Sequence, residues 1–271
     1  MSRSVADLLA WRRERFRLGV YVPLVLFLEA ARLALAARPG ETFARRAALA
    51  LLVLFALRAW DDLASAARDG RDHLERILPR APSKRPFQLA ALAAFALAAL
   101  LAAPSLGRLF ILGALATFHA WLYARDARSE QRGLAASFAV LVKYPALAAL
   151  LSAGEGVPSW RGVVTLALVY ACFAVYELAH DGALRAQRGA SSVLDAAALT
   201  LVAGGIALAG LASAHGVAAA LAHSGAAVVG TIVTVSVVRA TARDRTPSPA
   251  LRWLLFVTTA VQLALVATWR P

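Results

Sequence analysis

The chain has 271 residues, of which 60% are hydrophobic and 17% charged, and its formal net charge is +13. A water-soluble domain holds about 45–50% apolar residues, so this composition excludes one, and apolar runs near the ~20 residues that cross a bilayer recur along the whole length. The single cysteine, Cys172, excludes a disulfide framework and a cysteine-type zinc site, and arginines concentrated in short segments argue for membrane topology and anionic lipid, not nucleic acid.

Residues 1–17 carry Arg3, Arg12, Arg13, Arg15 and Arg17, with Leu8, Leu9 and Trp11 between them. This pattern predicts an amphipathic helix on the cytoplasmic face, set apart from a membrane domain over 18–271. No small-residue cleavage site follows a short apolar core, so the segment is not expected to be a cleavable signal. Nine spans are predicted, at 18–37, 44–61, 86–103, 106–124, 134–152, 160–180, 192–214, 217–238 and 252–269. Each is long enough for a helix to cross about 30 Å of hydrocarbon. The predicted fold class is an all-α polytopic membrane helix bundle of about nine transmembrane helices. With the amino terminus inside, the inner segments hold 20 Lys and Arg and the outer segments six. That bias places 62–85, 125–133, 181–191 and 239–251 in the cytoplasm and the protein in the inner (cytoplasmic) membrane.

The stretch Arg58 to Arg85, after the apolar run Ala47–Leu57, gathers Asp61, Asp62, Asp69, Asp72 and Glu75, five of the sixteen acidic residues. Ionisable groups near a bilayer are costly and call for a functional explanation. If the helix continues past Leu57, Asp61, Ser65 and Asp69 share a face, and Asp62 lies seven residues before Asp69. Like charges on one face repel, unless a divalent cation or neighbouring arginines such as Arg58, Arg68 and Arg71 compensate them. The end of this helix is expected to face solvent.

These residues resemble the first aspartate-rich motif of the UbiA superfamily of intramembrane prenyltransferases. Asp61 stands at the motif's Asn, Asp62 at its first Asp and Asp69 at its last, while Ser65 replaces the middle Asp. Arg58, Asp61 and Asp62 fit a branch of the superfamily that begins Arg-x-x-Asp-Asp/Glu. His73, Glu75, Arg76, Pro79 and Arg80 then keep register with its continuation, from which two prolines and a glycine are missing.

The loop after the fourth span, Tyr123 to Gly133, resembles the superfamily's Tyr followed by a Lys-Arg pair. Arg128 matches the Arg, Ala127 replaces the Lys, and Arg125 is the substitute. Arginine's fork of donors suits phosphate. At the end of the sixth span, Glu177 and Asp181 lie four apart, where the superfamily has a second acidic motif; an ordinary helix terminus is the alternative. Among the other polar residues within spans, Glu29 and Arg32 are spaced to pair, Pro145 predicts a kink, and Lys143 has three options: snorkelling, pairing with Glu29, or a bound anion. His119, His215, His223 and Gln262 read as hydrogen-bonding partners between helices.

The resemblance implies a Mg2+-dependent transfer of an isoprenyl group from a prenyl diphosphate to a lipophilic acceptor. On that expectation Asp61, Asp62 and Asp69 are the catalytic carboxylates, with Asp62 and Asp69 on one metal ion and Glu177 and Asp181 on a second. Arg58, Arg76, Arg125, Arg128 and Lys143 bind the diphosphate. Phe27, Trp60, Trp121 and Tyr176 are candidates for cation–π stabilisation of a carbocation. A terpene cyclase on the same fold, a paralogue without catalysis and a small-molecule permease are the alternatives. No nucleic-acid partner is expected.

Overall fold

The computed structural model describes residues 3–35, 41–73, 75–126, 133–153, 160–243, 245–266 and 268. The described residues form an all-α polytopic helix bundle without strands. Among the described residues thirteen α-helices follow one another: α1 Arg3–Arg15, α2 Leu18–Leu35, α3 Phe43–Asp72, α4 Ile77–Arg80, α5 Arg85–Ala102, α6 Leu106–Asp126 and α7 Leu134–Leu141 come first. Then come α8 Lys143–Ser152, α9 Trp160–His180, α10 Gly182–Arg185, α11 Ala190–Ala212, α12 Val217–Ala242 and α13 Pro249–Val266.

Among the described residues, eight helical segments are long and apolar enough to cross a membrane, with α7 and α8 counted as one. These match eight of the nine predicted spans. The ninth, 44–61, is the apolar half of α3, a helix of 30 residues, which at 1.5 Å per residue is about 45 Å long. Arg45 and Arg46 at one end and Arg58, Asp61 and Asp62 beyond the apolar run make α3 more polar than the rest. Its Ala-rich continuation carries the helix on to Asp72, where the His73 N–H caps it on the Asp69 carbonyl.

The kink predicted at Pro145 appears as a break between α7 and α8 at Val142. Proline offers no N–H and crowds the carbonyl four residues earlier, here that of Leu141. The helix therefore ends and restarts one turn ahead of the proline.

The chain divides into two compact units, residues 1–26 with 41–140, and residues 27–40 with 141–271. In the first, α3 packs against α5 and α6, and α1 packs against α4 and α5. Trp11, Ala59, Leu78 and Phe87 form one core cluster there. In the second, α9, α11, α12 and α13 pack together. Without a hydrophobic force between helices in lipid, close packing depends on small residues. Gln262 of α13 donates from Nε2 to the Ala226 carbonyl at 3.2 Å. It fits because Gly205 and Gly230 lack side chains: a Cβ on either would stand 2.9 or 2.7 Å from that nitrogen.

Gly204 gives a sharper test of this packing. A Cβ there would lie 2.6 Å from Cδ2 of Leu168 on α9, a side chain with no exposure. Gly204→Ala is expected to destabilise the protein by about 1–3 kcal/mol through overpacking. Gly210→Ala, in the same helix with nothing within 4 Å, should instead gain about 0.5–1 kcal/mol from the stiffer backbone. Thermal unfolding in detergent compares the two, and equal effects would refute the packing argument.

Candidate functional site

The sequence of α3 places Arg58, Asp61, Asp62, Ser65 and Asp69 along one side of its polar end, three or four residues apart. All three aspartates are buried, at 8%, 4% and 7% exposure. This corrects the expectation of a solvent-facing helix end. At Asp62 the physical reason is α1, whose Trp11 and Arg15 bond to the carboxylate, and at Asp69 it is the pairing with Arg76.

In α1, Trp11 and Arg15 are four apart and project from the same face. Trp11 is 1% exposed. Its ring meets Phe55 and Phe87 edge-on, with centroids 5.6 and 6.0 Å away. Burying such a side chain contributes on the order of 2–3 kcal/mol. Its Nε1 donates to Oδ2 of Asp62 at 2.9 Å. Arg15 donates to the same carboxylate as a fork, Nε to Oδ2 and Nη2 to Oδ1, both at 3.0 Å. Arg58 approaches Oδ1 with Nη2 at 2.9 Å. Glu14, between them in sequence, accepts from the Ile77 N–H at 3.2 Å and so ties α1 to the start of α4.

Further along α3, Arg76 pairs with Asp69, Nη1 to Oδ2 at 2.6 Å. Ser65 donates to the same oxygen at 3.2 Å. Arg58 also reaches Asp61 at 3.8 Å. Burial pushes the Asp62 carboxyl, just past the predicted span, up to about 6; Arg58 and the Trp11 N–H pull it down and Asp61 pushes it up. The bonds it accepts from two guanidinium groups and the indole N–H favour its ionised form.

The fit of magnesium follows from these contacts. Mg2+ needs open carboxylate oxygens in an octahedron completed by water and phosphate. Both oxygens of Asp62 already accept from guanidinium groups, and Oδ2 of Asp69 does so too. Among the described residues, no group of three or more His, Cys, Asp or Glu is placed to hold a metal ion. As folded, the donor set does not fit magnesium.

The remaining predicted residues are dispersed. Arg125, in the last turn of α6, lies over Trp121, 5.8 Å from the ring centroid, beside a pocket of about 340 Å³. Arg128 and Ala127 lie outside the described residues. An apolar pocket of about 580 Å³ is lined by Trp60, Leu63, Phe95 and Tyr123. Trp60, Leu63 and Ala64 are on the side of α3 turned away from the aspartates, so the acids and this pocket occupy opposite flanks of one helix.

In the second unit, Glu177 is half-buried on α9. Asp181 caps α10, accepting from the Leu184 N–H at 3.0 Å, which accounts for that acid as a helix terminus. Lys143 is buried, its Nζ 5.2 Å from the Tyr144 ring centroid. Tyr144 in turn stacks on Phe173, which joins Phe27, Phe256 and Tyr176 in one aromatic group. Glu29 and Arg32 pair at 2.8 Å as their spacing predicts. His119 bonds within its own helix, to the Leu115 carbonyl at 2.9 Å.

Sequence reasoning missed Trp11 and Arg15, which it assigned to a membrane-surface helix. Their four-residue spacing was the available signal, but it does not name a partner. It also missed Tyr144, Phe173 and Phe256, ordinary apolar positions when read singly. Comparison of the chain with protein-family models, with curated proteins and with solved structures finds no match in any of the three. What the chain establishes by itself is a membrane protein of helical class with a buried cluster of paired charges at one end of α3. The resemblance to UbiA prenyltransferases rests on the residues alone.

Proposed function

We propose that the chain is a UbiA-type membrane protein that takes a prenyl diphosphate and transfers its isoprenyl group to a lipophilic acceptor. The observation that carries this reading is the 58–80 stretch. It keeps register with the motif and gathers Arg58, Asp61, Asp62, Asp69 and Arg76 at one end of a helix in an otherwise apolar bundle.

In the transfer, the allylic C–O bond breaks and the electron pair leaves with the diphosphate. An acceptor atom then bonds to the allylic carbon and gives up a proton. Cations near the leaving group lower the barrier by neutralising the charge that develops on it. On this reading Arg58 and Arg76 supply these cations, and the aspartates hold their guanidinium groups until the diphosphate takes them over. Arg125 and Arg128 are further cations for the same anion. The apolar helices keep water from the carbocation. Magnesium has no step in this account.

A second reading is favoured by Ser65 and by the ion pairs that close Asp62 and Asp69: a paralogue that binds a prenyl diphosphate without turning it over. Purified protein with geranyl or farnesyl diphosphate and a lipid extract, in Mg2+ and in EDTA, separates the two. Diphosphate release with a prenylated lipid is expected. Saturable binding without release selects the second reading, a cyclic hydrocarbon selects a cyclase, and neither binding nor release overturns both.

The charge bias adds an expectation for topology in the inner membrane. Reporters fused after Arg85, Arg128 and Arg188 should report the cytoplasm, and one after Pro271 the opposite side. A cytoplasmic carboxyl terminus would contradict nine spans with the amino terminus inside.

A further inference from the structure

We infer that Arg15 is a built-in cation of the α3 cluster: at Asp62 it holds the place and the charge that a divalent metal ion would take, so that the cluster is complete without metal. The inference uses the reading of 58–80 as the polar end of the site and does not depend on the transfer reaction.

A carboxylate offers about four lone-pair positions. At Asp62 four donors meet them. Oδ1 faces Nη2 of Arg15 and Nη2 of Arg58, at 3.0 and 2.9 Å. Oδ2 faces Nε of Arg15 and Nε1 of Trp11, at 3.0 and 2.9 Å. The Asp62 side chain is 5% exposed, so water has little access through which a hydrated ion could exchange in. A metal ion could bind only by displacing one of these donors.

Arg15 is not a loosely held surface arginine. Trp11, one turn earlier, is locked between Phe55 and Phe87, and Glu14 is bonded to the Ile77 N–H. The docking of α1 therefore fixes the guanidinium, and a planar fork on a carboxylate is among the stronger charge-assisted contacts. The second half of the cluster follows the same logic. Ser65 stands where a further carboxylate would serve a metal, and it donates to Asp69 instead. Arg76 supplies the countercharge at 2.6 Å. Three aspartates thus face three guanidinium groups among the described residues. A divalent ion added here would put two further positive charges on a balanced cluster, which burial makes unfavourable.

The test uses the full chain in detergent and Mn2+ as the probe, followed by electron paramagnetic resonance. The wild type should show no stoichiometric Mn2+ binding below millimolar concentration, and its melting temperature should be the same in Mg2+ and in EDTA. Arg15→Gln opens two lone-pair positions and removes one positive charge, so its Mn2+ affinity should rise about tenfold or more. Arg15→Gln with Asp62→Asn should lose that gain. Circular dichroism confirms that each variant is folded. Micromolar Mn2+ binding by the wild type that Asp62→Asn abolishes would overturn the inference, and so would a folded Arg15→Gln with no gain. If Arg15→Gln does not fold, the wild-type titration decides alone. None of these outcomes depends on diphosphate release, so the transfer reading stands or falls separately.

Discussion

Asp62→Asn is expected to cost the protein about 3 kcal/mol of stability, the low end of the range for breaking a buried ion pair. The low end applies because the partners are not fully buried: Arg15 is 22% and Arg58 24% exposed at the side chain. The substitution keeps the size of the side chain but removes its charge and turns one acceptor oxygen into a donor. That new N–H₂ must face Arg15 and Arg58, or else Arg15 and Trp11. Either way two donors meet a donor, and both guanidinium groups lose their countercharge. The docking of α1 should loosen with it, so Trp11, buried in the wild type, becomes the reporter. Its fluorescence should shift toward that of an exposed indole at a lower temperature than in the wild type. Arg15→Gln in the Asp62→Asn background should recover part of the loss, because it removes a guanidinium left without its partner. Such a cycle isolates the pair if each single change adds no new contact. Unchanged stability in Asp62→Asn would mean that α1 is held by its aromatic contacts alone and that the carboxylate serves something else.

The second large effect separates function from structure at the other pair. Arg76→Gln should lower diphosphate release by about 100-fold if the guanidinium stabilises the leaving group, since one electrostatic contact made in the transition state supplies about 3 kcal/mol. The same change leaves Asp69 buried without the partner now 2.6 Å away, so some stability should also be lost. Arg76→Gln with Asp69→Asn resolves the ambiguity. The neutral pair should recover stability, because two amides of suitable length can bond to each other and to Ser65. It should not recover turnover, because the cation is still missing. If stability and release return together, the Arg76–Asp69 pair is a structural device and the diphosphate is held elsewhere. Arg76→Lys adds a finer measure: it keeps the charge and loses the fork, so release between the two extremes is expected.

Much of this protein is legible in the sequence because lipid imposes a simple rule. Every spanning segment must satisfy its own backbone hydrogen bonds, so a long apolar run can only be a helix. That rule yields the boundaries of α2, α5, α6, α9 and α11 to within about two residues, as expected of helix ends. The break ahead of Pro145 follows from proline's missing N–H. The shared face of Arg58, Asp61, Asp62 and Asp69 follows from helical periodicity alone, as does the pairing of Glu29 with Arg32. Periodicity reports only on neighbours within one helix. It could not say that Trp11 and Arg15, 51 and 47 residues before Asp62, would reach that face and fill the Asp62 carboxylate. The choice between a metal ion and a guanidinium was therefore hidden, because both compensate the same spacing of acids. Burial of the aspartates, the seat of Gln262 against Gly205 and Gly230, and the gathering of Phe27, Tyr144, Phe173 and Phe256 were decided in the same way. Each depends on which distant surfaces meet, and only the packing of helix against helix determines that.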